Sequence, residues 1–311
     1  RGRASGKRSK KKMKNRIHHG DTETTRFFSP CLRASVVNLL FLACASNVPG
    51  IEPKDGEIRF PVGIAVHPAG RHLFVASSNF DLLYNGSTVG VVDLTTNTYA
   101  TGHTIKIGSF AADLVINAAG TTLFVPDRAT GHVNVIDVDL TATRFLSCSA
   151  TTPASGLLPT CATSHAISVS QDPFSVVVLP QESFDGGTAP ERLVVSHLRN
   201  GEVYVLEASD GGAARYSVAA TQDLPDGTNS VAVRPDSDPA RRTLYVSHRF
   251  SNSVSTFRLI GDFLSPPAST RLVQTGSVSI RNPAGGLDTR GIAFNPAGTR
   301  AFVADRSPSS I

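Results

Sequence analysis

The strongest constraint on the fold is a pattern of short apolar strands that recurs five times along the chain. Each unit has two strands joined by a turn, and four of the five units continue into a third strand. The second strands begin at Leu73, Leu123, Leu193, Leu244 and Ala301. The steps between these residues are 50, 70, 51 and 57 positions. Self-similarity at a nearly constant period predicts a repeat architecture.

The turn between the first two strands has the chemistry of a short hairpin. It reads HPAG at residues 67–70 of the first unit and NPAG at residues 295–298 of the fifth. Proline presets φ near −65°, and glycine permits the positive φ with which such a turn ends. The two strands of each unit are therefore predicted to pair as a hairpin.

The strands are rich in Val and Ile and lack a polar alternation, which is typical of strands covered on both faces. We therefore predict an all-β fold, a β-propeller of four-stranded antiparallel blades, over residues 60–311. A β-sandwich has a similar strand spacing but does not predict a unit of about 50 residues. About four and a half blades are visible, because the fifth unit reaches Ile311 after its second strand. We expect the sequence to be a fragment of a longer propeller.

The repeated strands also resemble a known family. The second strands and the residues that follow them read LFVASS, LFVPDR, LVVSHL, LYVSHR and AFVADR, and they lead into third strands such as VGVVD and VNVID. This pattern resembles the YVTN family of β-propeller repeats over about 60–311. The resemblance implies the propeller fold. It also implies one of the family's roles, as a surface protein, a binding module or part of a redox assembly.

The basic character of the chain is confined to its first residues. Residues 1–33 contain eleven Lys or Arg and two acidic residues, a net charge of +9, whereas the remaining residues carry a net charge of −4. The basic stretch could contact nucleic acid, because clustered Lys and Arg neutralise phosphates. It could instead begin an export signal, or be translated sequence upstream of a start at Met13. We favour these two alternatives and expect no nucleic-acid partner.

Residues 34–43 form the only continuous apolar run before the repeats, and they suit the apolar part of a signal peptide. The following Cys44 completes the sequence FLAC, which resembles a bacterial lipobox. We predict export to the bacterial cell envelope and lipid attachment at Cys44, with ordinary secretory cleavage or a mere apolar patch as alternatives. The predicted organisation is a basic tail and signal segment at 1–44, a Pro- and Gly-containing linker at 45–59, and the propeller at 60–311.

Cys148 and Cys161 flank a Ser-, Thr- and Pro-rich loop between the second and third units. In an exported protein such a pair is most simply a disulfide. A metal site is the alternative, but CxxC spacing and neighbouring paired His are both missing. We predict the disulfide and no metal.

Polar residues follow the second strand of each unit, at positions that a propeller places in a ring on one face. We predict a ligand- or partner-binding ring formed by Asp127, Arg128, His197, Arg199, His248, Arg249, Asp305 and Arg306. Asp172, Asp226, Asp288 and Arg290 precede or begin inner strands and should join it. The alternative is that these residues only cap neighbouring blades through salt bridges and hydrogen bonds. In the first unit the corresponding loop is enlarged, and its Phe80, Leu82, Leu83 and Tyr84 are expected to pack locally.

No recognised catalytic motif is present: CxxCH, HExxH, a Walker loop and GxSxG are all absent from the sequence. The favoured function is a non-catalytic binding or scaffolding propeller, without a cofactor, that binds a protein or small molecule on the ring face and the membrane through its lipid anchor. One alternative is a lactonase-like hydrolase in which His197, His248 and their acidic neighbours polarise the substrate or hold a metal. Another is the propeller of a periplasmic redox assembly whose haem domain lies beyond Ile311.

Overall fold

The computed structural model of the chain describes residues 50–148, 156–184, 187–208, 216–235, 242–262, 269–280 and 288–306. The chain separates into two compact units, Arg1–Val48 and Pro49–Ile311, and the described residues lie in the second. The predicted signal segment, Met13 and Cys44 lie outside the described residues.

Blades 1 and 2 are antiparallel sheets that run from an inner strand to an outer edge. Blade 1 consists of β1 (Pro61–Val66), β2 (His72–Ser77), β3 (Ser87–Asp93), β4 (Thr98–Tyr99) and β5 (Ile105–Ile107), with β4 and β5 both paired to β3. Blade 2 consists of β6 (Val115–Ile116), β7 (Thr122–Asp127), β8 (His132–Val138), β9 (Leu146–Ser147) and, after the 3-10 turn Thr163–His165, β10 (Ala166–Ser168). Its order is β10-β8-β7-β6, with β9 also on β8.

Blades 3 and 4 are four-stranded, and blade 5 is described as a hairpin. Blade 3 has the order β11 (Pro173–Leu179), β14 (Arg192–His197), β15 (Glu202–Ala208) and β16 (Tyr216–Asp223), and the hairpin β12 (Glu182–Phe184) and β13 (Gly187–Ala189) is inserted after β11. Blade 4 has the order β17 (Thr228–Val233), β18 (Thr243–His248), β19 (Ser253–Asp262) and β20 (Ser269–Ser279). Blade 5 pairs β21 (Thr289–Phe294) with β22 (Ala301–Asp305).

The predicted hairpin turn is present in blade 1. Gly70 donates its N–H to the carbonyl oxygen of His67 at 2.7 Å. Its φ is +73°, a conformation that glycine adopts without steric cost. The same turn recurs in blade 5, where Gly298 donates to Asn295 at 2.8 Å.

The blades stack face to face, and three apolar clusters fill the spaces between successive blades. Alternate residues of a second strand point to opposite faces of the sheet. Leu123 accordingly packs with Phe74 of blade 1, whereas its neighbour Phe124 packs with Val176 of blade 3. Consecutive inner strands also contact one another, from β1 to β6, β11, β17 and β21. The propeller prediction is confirmed, and burial on both faces explains why these strands show no polar alternation.

Serine side chains bridge neighbouring blades. The Oγ of Ser196 accepts from the N–H of Ser175 in its own blade at 3.2 Å and donates to the carbonyl oxygen of Asn229 in blade 4 at 2.6 Å. Ser247 repeats this contact one blade later, because its Oγ donates to the carbonyl oxygen of Arg290 at 2.7 Å. The serines that end the sequence patterns VVS and YVS therefore tie blade 3 to blade 4 and blade 4 to blade 5.

Apolar side chains on the flanks of blades 1 and 5 are more exposed than those at equivalent positions between the inner blades. Ile64 in β1 is 66% exposed, whereas Leu114 and Val176, at the equivalent positions of blades 2 and 3, are 4% and 2% exposed. Phe302 in blade 5 is 60% exposed, although the equivalent Phe74 and Phe124 are fully buried. The same apolar positions are thus covered in the middle of the stack and uncovered at its two described ends.

The described part of the predicted linker, residues 50–59, is bound to blade 1 rather than free. Ile51 donates its N–H to Leu83 at 3.0 Å, and Asn85 donates back to Ile51 at 2.9 Å. Glu52 forms a salt bridge with Lys106, with 2.8 Å between Oε2 and Nζ. A tether would expose these groups to water, whereas here they extend the surface of the first blade.

A disulfide joins Cys148 and Cys161, whose Cα atoms lie 4.8 Å apart. Backbone hydrogen bonds hold both of its ends, since Cys161 donates to Lys106 at 2.9 Å and Ala162 donates to Cys148 at 3.1 Å. The bridge fastens the segment before β10 to the outer edges of blades 1 and 2. Among the described residues no helix is long and apolar enough to cross a membrane.

Candidate functional site

The ends of the second strands are equivalent in all five blades. In four blades the final residue lies opposite the start of its own inner strand, in the pairs Pro61 with Ser77, Pro173 with His197, Thr228 with His248, and Thr289 with Asp305. In blade 2, Asp127 lies opposite Ala111, four residues before β6, in an isolated bridge. Because the blades stack in sequence, these ends lie on one face of the propeller. We call this face the ring face.

A recurring backbone hydrogen bond shapes the ring face. The residue after each second strand donates its N–H to the residue that precedes the inner strand of the same blade. The donor and acceptor pairs are Ser78 to Phe60, Arg128 to Phe110, Leu198 to Asp172, Arg249 to Gly227 and Arg306 to Asp288, at 2.7 to 3.3 Å. Four of these acceptor residues have positive φ, namely Phe60 (48°), Phe110 (62°), Asp172 (61°) and Gly227 (86°). The left-handed backbone costs a residue other than glycine about 1 kcal/mol or more, so the surrounding contacts hold these side chains in place.

Two predicted ring residues, His197 and His248, are buried within the stack. They are 0% and 1% exposed. His197 Nδ1 lies 3.1 Å from the carbonyl oxygen of Glu202, and its ring lies 4.6 Å from that of Tyr204. His248 lies 3.3 Å from Thr228 Oγ1 through Nδ1 and 2.8 Å from Ser255 Oγ through Nε2. Burial lowers the pKa of both imidazoles, which favours their neutral form.

Asp127 is also buried, at 2% exposure. Its Oδ1 accepts from the backbone N–H groups of Ala129 at 3.1 Å and Thr130 at 3.4 Å. Burial raises the pKa of this carboxyl, although the hydrogen bonds from Thr130 and Ala129 act in the opposite direction. The carboxylate therefore shapes the turn that follows β7.

The structure thus corrects the predicted ring at Asp127, His197 and His248. Strand-end side chains that point between the blades are covered by the next blade, whereas the following residue lies on the surface. The same burial removes the roles that the lactonase-like alternative gave to these two histidines, since both side chains are covered from the surface.

The arginines of the predicted ring lie on the surface and pair with acidic residues. Arg128 Nε lies 2.5 Å from Asp172 Oδ1, and the Arg128 guanidinium lies 5.1 Å from the centre of the Phe174 ring. Arg199 donates from Nη1 to Gln171 Oε1 at 3.3 Å. Arg128 follows β7 of blade 2 and Arg199 follows β14 of blade 3. Each of them pairs with a residue of the segment between these two blades. The predicted contribution of Asp172 to the ring is therefore present.

A second group of charges lies between blades 4 and 5. Asp288 is paired with Arg249 at 2.8 Å and Arg290 at 2.7 Å, and Arg306 lies 3.9 Å away. Asp305 is half-buried at the end of β22. This arrangement matches the alternative prediction that the ring residues cap neighbouring blades, because the Asp288 carboxylate is shared by three arginines from two blades.

A cleft of about 530 Å³ opens on the ring face between blades 1, 2 and 3. Its polar wall includes Arg128, Gln171, Asp172 and Arg199, and its apolar wall includes Phe80 and Phe110. This volume lies within the usual range of small-molecule sites. The cleft therefore brings two predicted arginines together and leaves Arg249 and Arg306 outside.

The enlarged loop of blade 1 supplies part of this cleft. The ring of Phe80 lies 6.5 Å from Phe60 and 6.4 Å from Phe110, centre to centre. Phe80 is 68% exposed, and only Tyr84 of the four apolar loop residues is buried. The expectation that this loop packs on itself is therefore wrong for Phe80, Leu82 and Leu83. The predicted ring did not include Phe60, Phe110 or Gln171, although Phe60 and Phe110 accept the backbone hydrogen bond that recurs with the repeat.

The donor set of the cleft suits a ligand that is itself polar on one side. Two guanidinium groups can bind a carbonyl, carboxylate or other oxygen-rich group, and Asp172 can accept a hydrogen bond or a proton. Within the described ranges no group of three or more His, Cys, Asp or Glu residues is placed to hold a metal ion.

No protein-family model and no curated protein sequence matches the chain. Solved structures do match its fold. A functionally unknown protein from Desulfotomaculum acetoxidans is 14% identical over 79% of this chain and 65% of its own length, with a TM-score of 0.52. A putative 6-phosphogluconolactonase from Bacteroides uniformis is 12% identical over 78% and 64%, with a TM-score of 0.53.

The periplasmic gluconolactonase PpgL of Pseudomonas aeruginosa is 21% identical over 79% of this chain and 63% of its own, with a TM-score of 0.50. The chain spans less than two thirds of the length of each of these proteins. At these identities the likeness shows the fold, which agrees with the propeller described above.

Proposed function

We propose that the protein is a lactonase-like hydrolase that opens a cyclic ester in the cleft of the ring face. The observation that carries this proposal is the placement of the Asp172 carboxylate beside the Arg128 guanidinium, in a cleft that Arg199 also lines. The names of two fold neighbours, the putative 6-phosphogluconolactonase and the periplasmic gluconolactonase, are consistent with it.

The chemistry requires a base and an electrostatic partner for the developing oxyanion. Asp172 accepts a proton from a water molecule while the water oxygen bonds to the ester carbonyl carbon. The carbonyl electron pair moves to its oxygen, where a guanidinium group stabilises the negative charge. When the intermediate collapses, the bond to the ring oxygen breaks, and this oxygen takes the proton back from Asp172. The product is the open hydroxy acid.

The residues divide these roles by their contacts. Arg128 holds one oxygen of Asp172 and so orients the carboxylate. Arg199, which is held by the side chain of Gln171, is the group assigned to the oxyanion. His197 and His248 take no part, because both are buried.

The test is hydrolysis of simple δ-lactones by the purified chain and by Asp172→Asn, Arg199→Ala and Arg249→Ala. Loss of a general base or an oxyanion donor lowers kcat by about a hundredfold or more. We expect that loss for the first two variants. Arg249→Ala is the control, since Arg249 is a salt-bridged arginine of the ring face that lies outside the cleft, and the variant should retain full activity. A wild-type protein without lactonase activity, or equal activity in all variants, would overturn the proposal.

A non-catalytic binding module is the second candidate function. It is favoured by the recurrence of the Arg–Asp pair on the ring face, as Arg128 with Asp172 and as Arg249 with Asp288. Only the first pair lines the cleft, so the repeat of the pair alone fits a capping or docking role. Ligand binding without turnover in the lactone assay would favour this candidate.

The proposed setting of the protein is the bacterial cell envelope, as an exported member of the YVTN propeller family anchored through Cys44. The disulfide between Cys148 and Cys161 supports export, because disulfides persist in oxidising compartments. Metabolic labelling with a palmitate analogue tests the anchor. We expect the label to be incorporated by the wild type and lost in Cys44→Ser, and an unlabelled wild type would contradict lipid attachment.

A further inference from the structure

Phe80 and Phe110 form the apolar wall of the cleft, and Phe60 extends this aromatic cluster on the other side of Phe80. Phe60 and Phe110 precede the inner strands of blades 1 and 2, and Phe80 comes from the enlarged loop. Phe80 lies between the other two, with ring centres 6.5 and 6.4 Å away. Phe60 and Phe80 are 50% and 68% exposed, so much of the cluster faces solvent.

The fold does not require phenylalanine at these positions. The equivalent residues of blades 3 and 4 are Asp172 and Gly227, which make the same backbone hydrogen bond. Phe60 and Phe110 adopt positive φ, the conformation that the equivalent Gly227 adopts at lower cost. Two bulky rings are therefore held in a strained backbone conformation at a place where they are not buried as core.

The rest of the cleft, beside this apolar wall, is strongly polar. Phe80 and Phe110 line the same cleft as Arg128, Asp172 and Arg199. A ligand that fills this cleft has one side against guanidinium and carboxylate groups and another against aromatic rings. A sugar lactone, which bears hydroxyl groups around its ring, would leave those hydroxyl groups without partners at the wall.

We propose that the substrate is an amphipathic lactone, whose ester group faces Arg128, Asp172 and Arg199 and whose alkyl or aryl substituent covers Phe80 and Phe110. This inference rests on the proposed hydrolase function and names the substrate class of the same cleft. Burial of a methylene group against such a wall improves binding about fourfold. The substituent therefore sets the KM, whereas Asp172 and Arg199 set kcat.

The experiment compares δ-valerolactone, δ-octalactone and δ-decalactone, which share a ring and differ in alkyl chain length. At about fourfold per methylene, we expect KM in the wild type to fall by more than about tenfold with each lengthening of the chain. In Phe80→Ser it should depend much less on chain length. Leu83→Ser is the matched control, because Leu83 is an exposed apolar residue of the same loop that does not line the cleft. It should retain the wild-type dependence.

Binding is measured separately by calorimetry with butanoate, octanoate and decanoate, whose carboxylates replace the ester. Affinity that rises with chain length in the wild type and Leu83→Ser, but not in Phe80→Ser, supports the amphipathic ligand. Equal affinity along the series, or equal KM for the three lactones, overturns it even if the lactones are hydrolysed. Chain-length-dependent binding without any hydrolysis instead overturns the proposed hydrolase function and leaves the ligand class standing.

Discussion

Two layers of the ring face have similar residue types and opposite roles. The inner layer contains Asp127, His197 and His248, which end their strands and are covered by neighbouring blades. The outer layer contains Arg128, which directly follows Asp127 in the chain, and Asp172, which directly precedes the inner strand of blade 3, and both line an open cleft. The difference teaches that position relative to the next blade, rather than chemical type, decides which charged or polar group is available to a ligand.

The largest expected difference in stability is between a substitution of His248 and a substitution of its neighbour Arg249. His248→Ala removes a fully buried side chain and leaves Thr228 and Ser255 without their partner, so it should lower the free energy of unfolding by about 2–4 kcal/mol. Arg249→Ala breaks a partly exposed salt bridge and should cost less than about 1 kcal/mol. Urea unfolding measures both. Equal losses would show that the two layers do not differ.

The same comparison can be made along the inner strands. Val176→Ala opens a space between blades 2 and 3 and should cost about 2 kcal/mol. Ile64→Ala changes the equivalent position on the uncovered flank of blade 1 and should alter stability by about 0.5 kcal/mol or less. Thermal and urea unfolding of the pair check this difference. A large loss in Ile64→Ala would mean that this flank is covered in solution.

A smaller change in stability is expected when the pH is lowered. Since burial lowers the pKa of His197 and His248, the unfolded chain binds more protons than the native protein as the pH falls below about 6.5. Stability should therefore fall between pH 7.5 and 5.5, by about 1 kcal/mol for each histidine.

The double variant His197→Gln with His248→Gln serves as the reference for this titration. The raised pKa values of Asp113 and Asp127 act in the opposite direction, but they are common to both proteins and cancel in the comparison. The variant should lose less stability over this pH range than the wild type. An identical pH dependence in the two proteins would contradict the neutral buried state of the histidines.

Much of the fold could be predicted from the sequence because its signals are local and repeated. The turn at 67–70, the apolar strands and the position of the ring all recur with the period of the blade. The burial of His197 could not be predicted, because it depends on the next blade covering the strand end. The pair of Arg128 and Asp172 joins residues 44 positions apart across two blades, which no local pattern reveals. Phe110 was missed because an apolar residue before a strand reads as part of that strand.

Substitutions of two aspartates of the ring face, each measured for both stability and lactone hydrolysis, test the separation of the two layers most directly. Asp127→Ala removes the acceptor of two backbone N–H groups and should lower the free energy of unfolding by about 1–3 kcal/mol, while kcat of the folded protein changes by less than about tenfold. Asp172→Asn keeps a residue that tolerates the left-handed backbone, so stability should change by less than about 1 kcal/mol. Its kcat should fall about a hundredfold or more. The reverse result, activity lost in Asp127→Ala and kept in Asp172→Asn, would contradict the separation of the two layers.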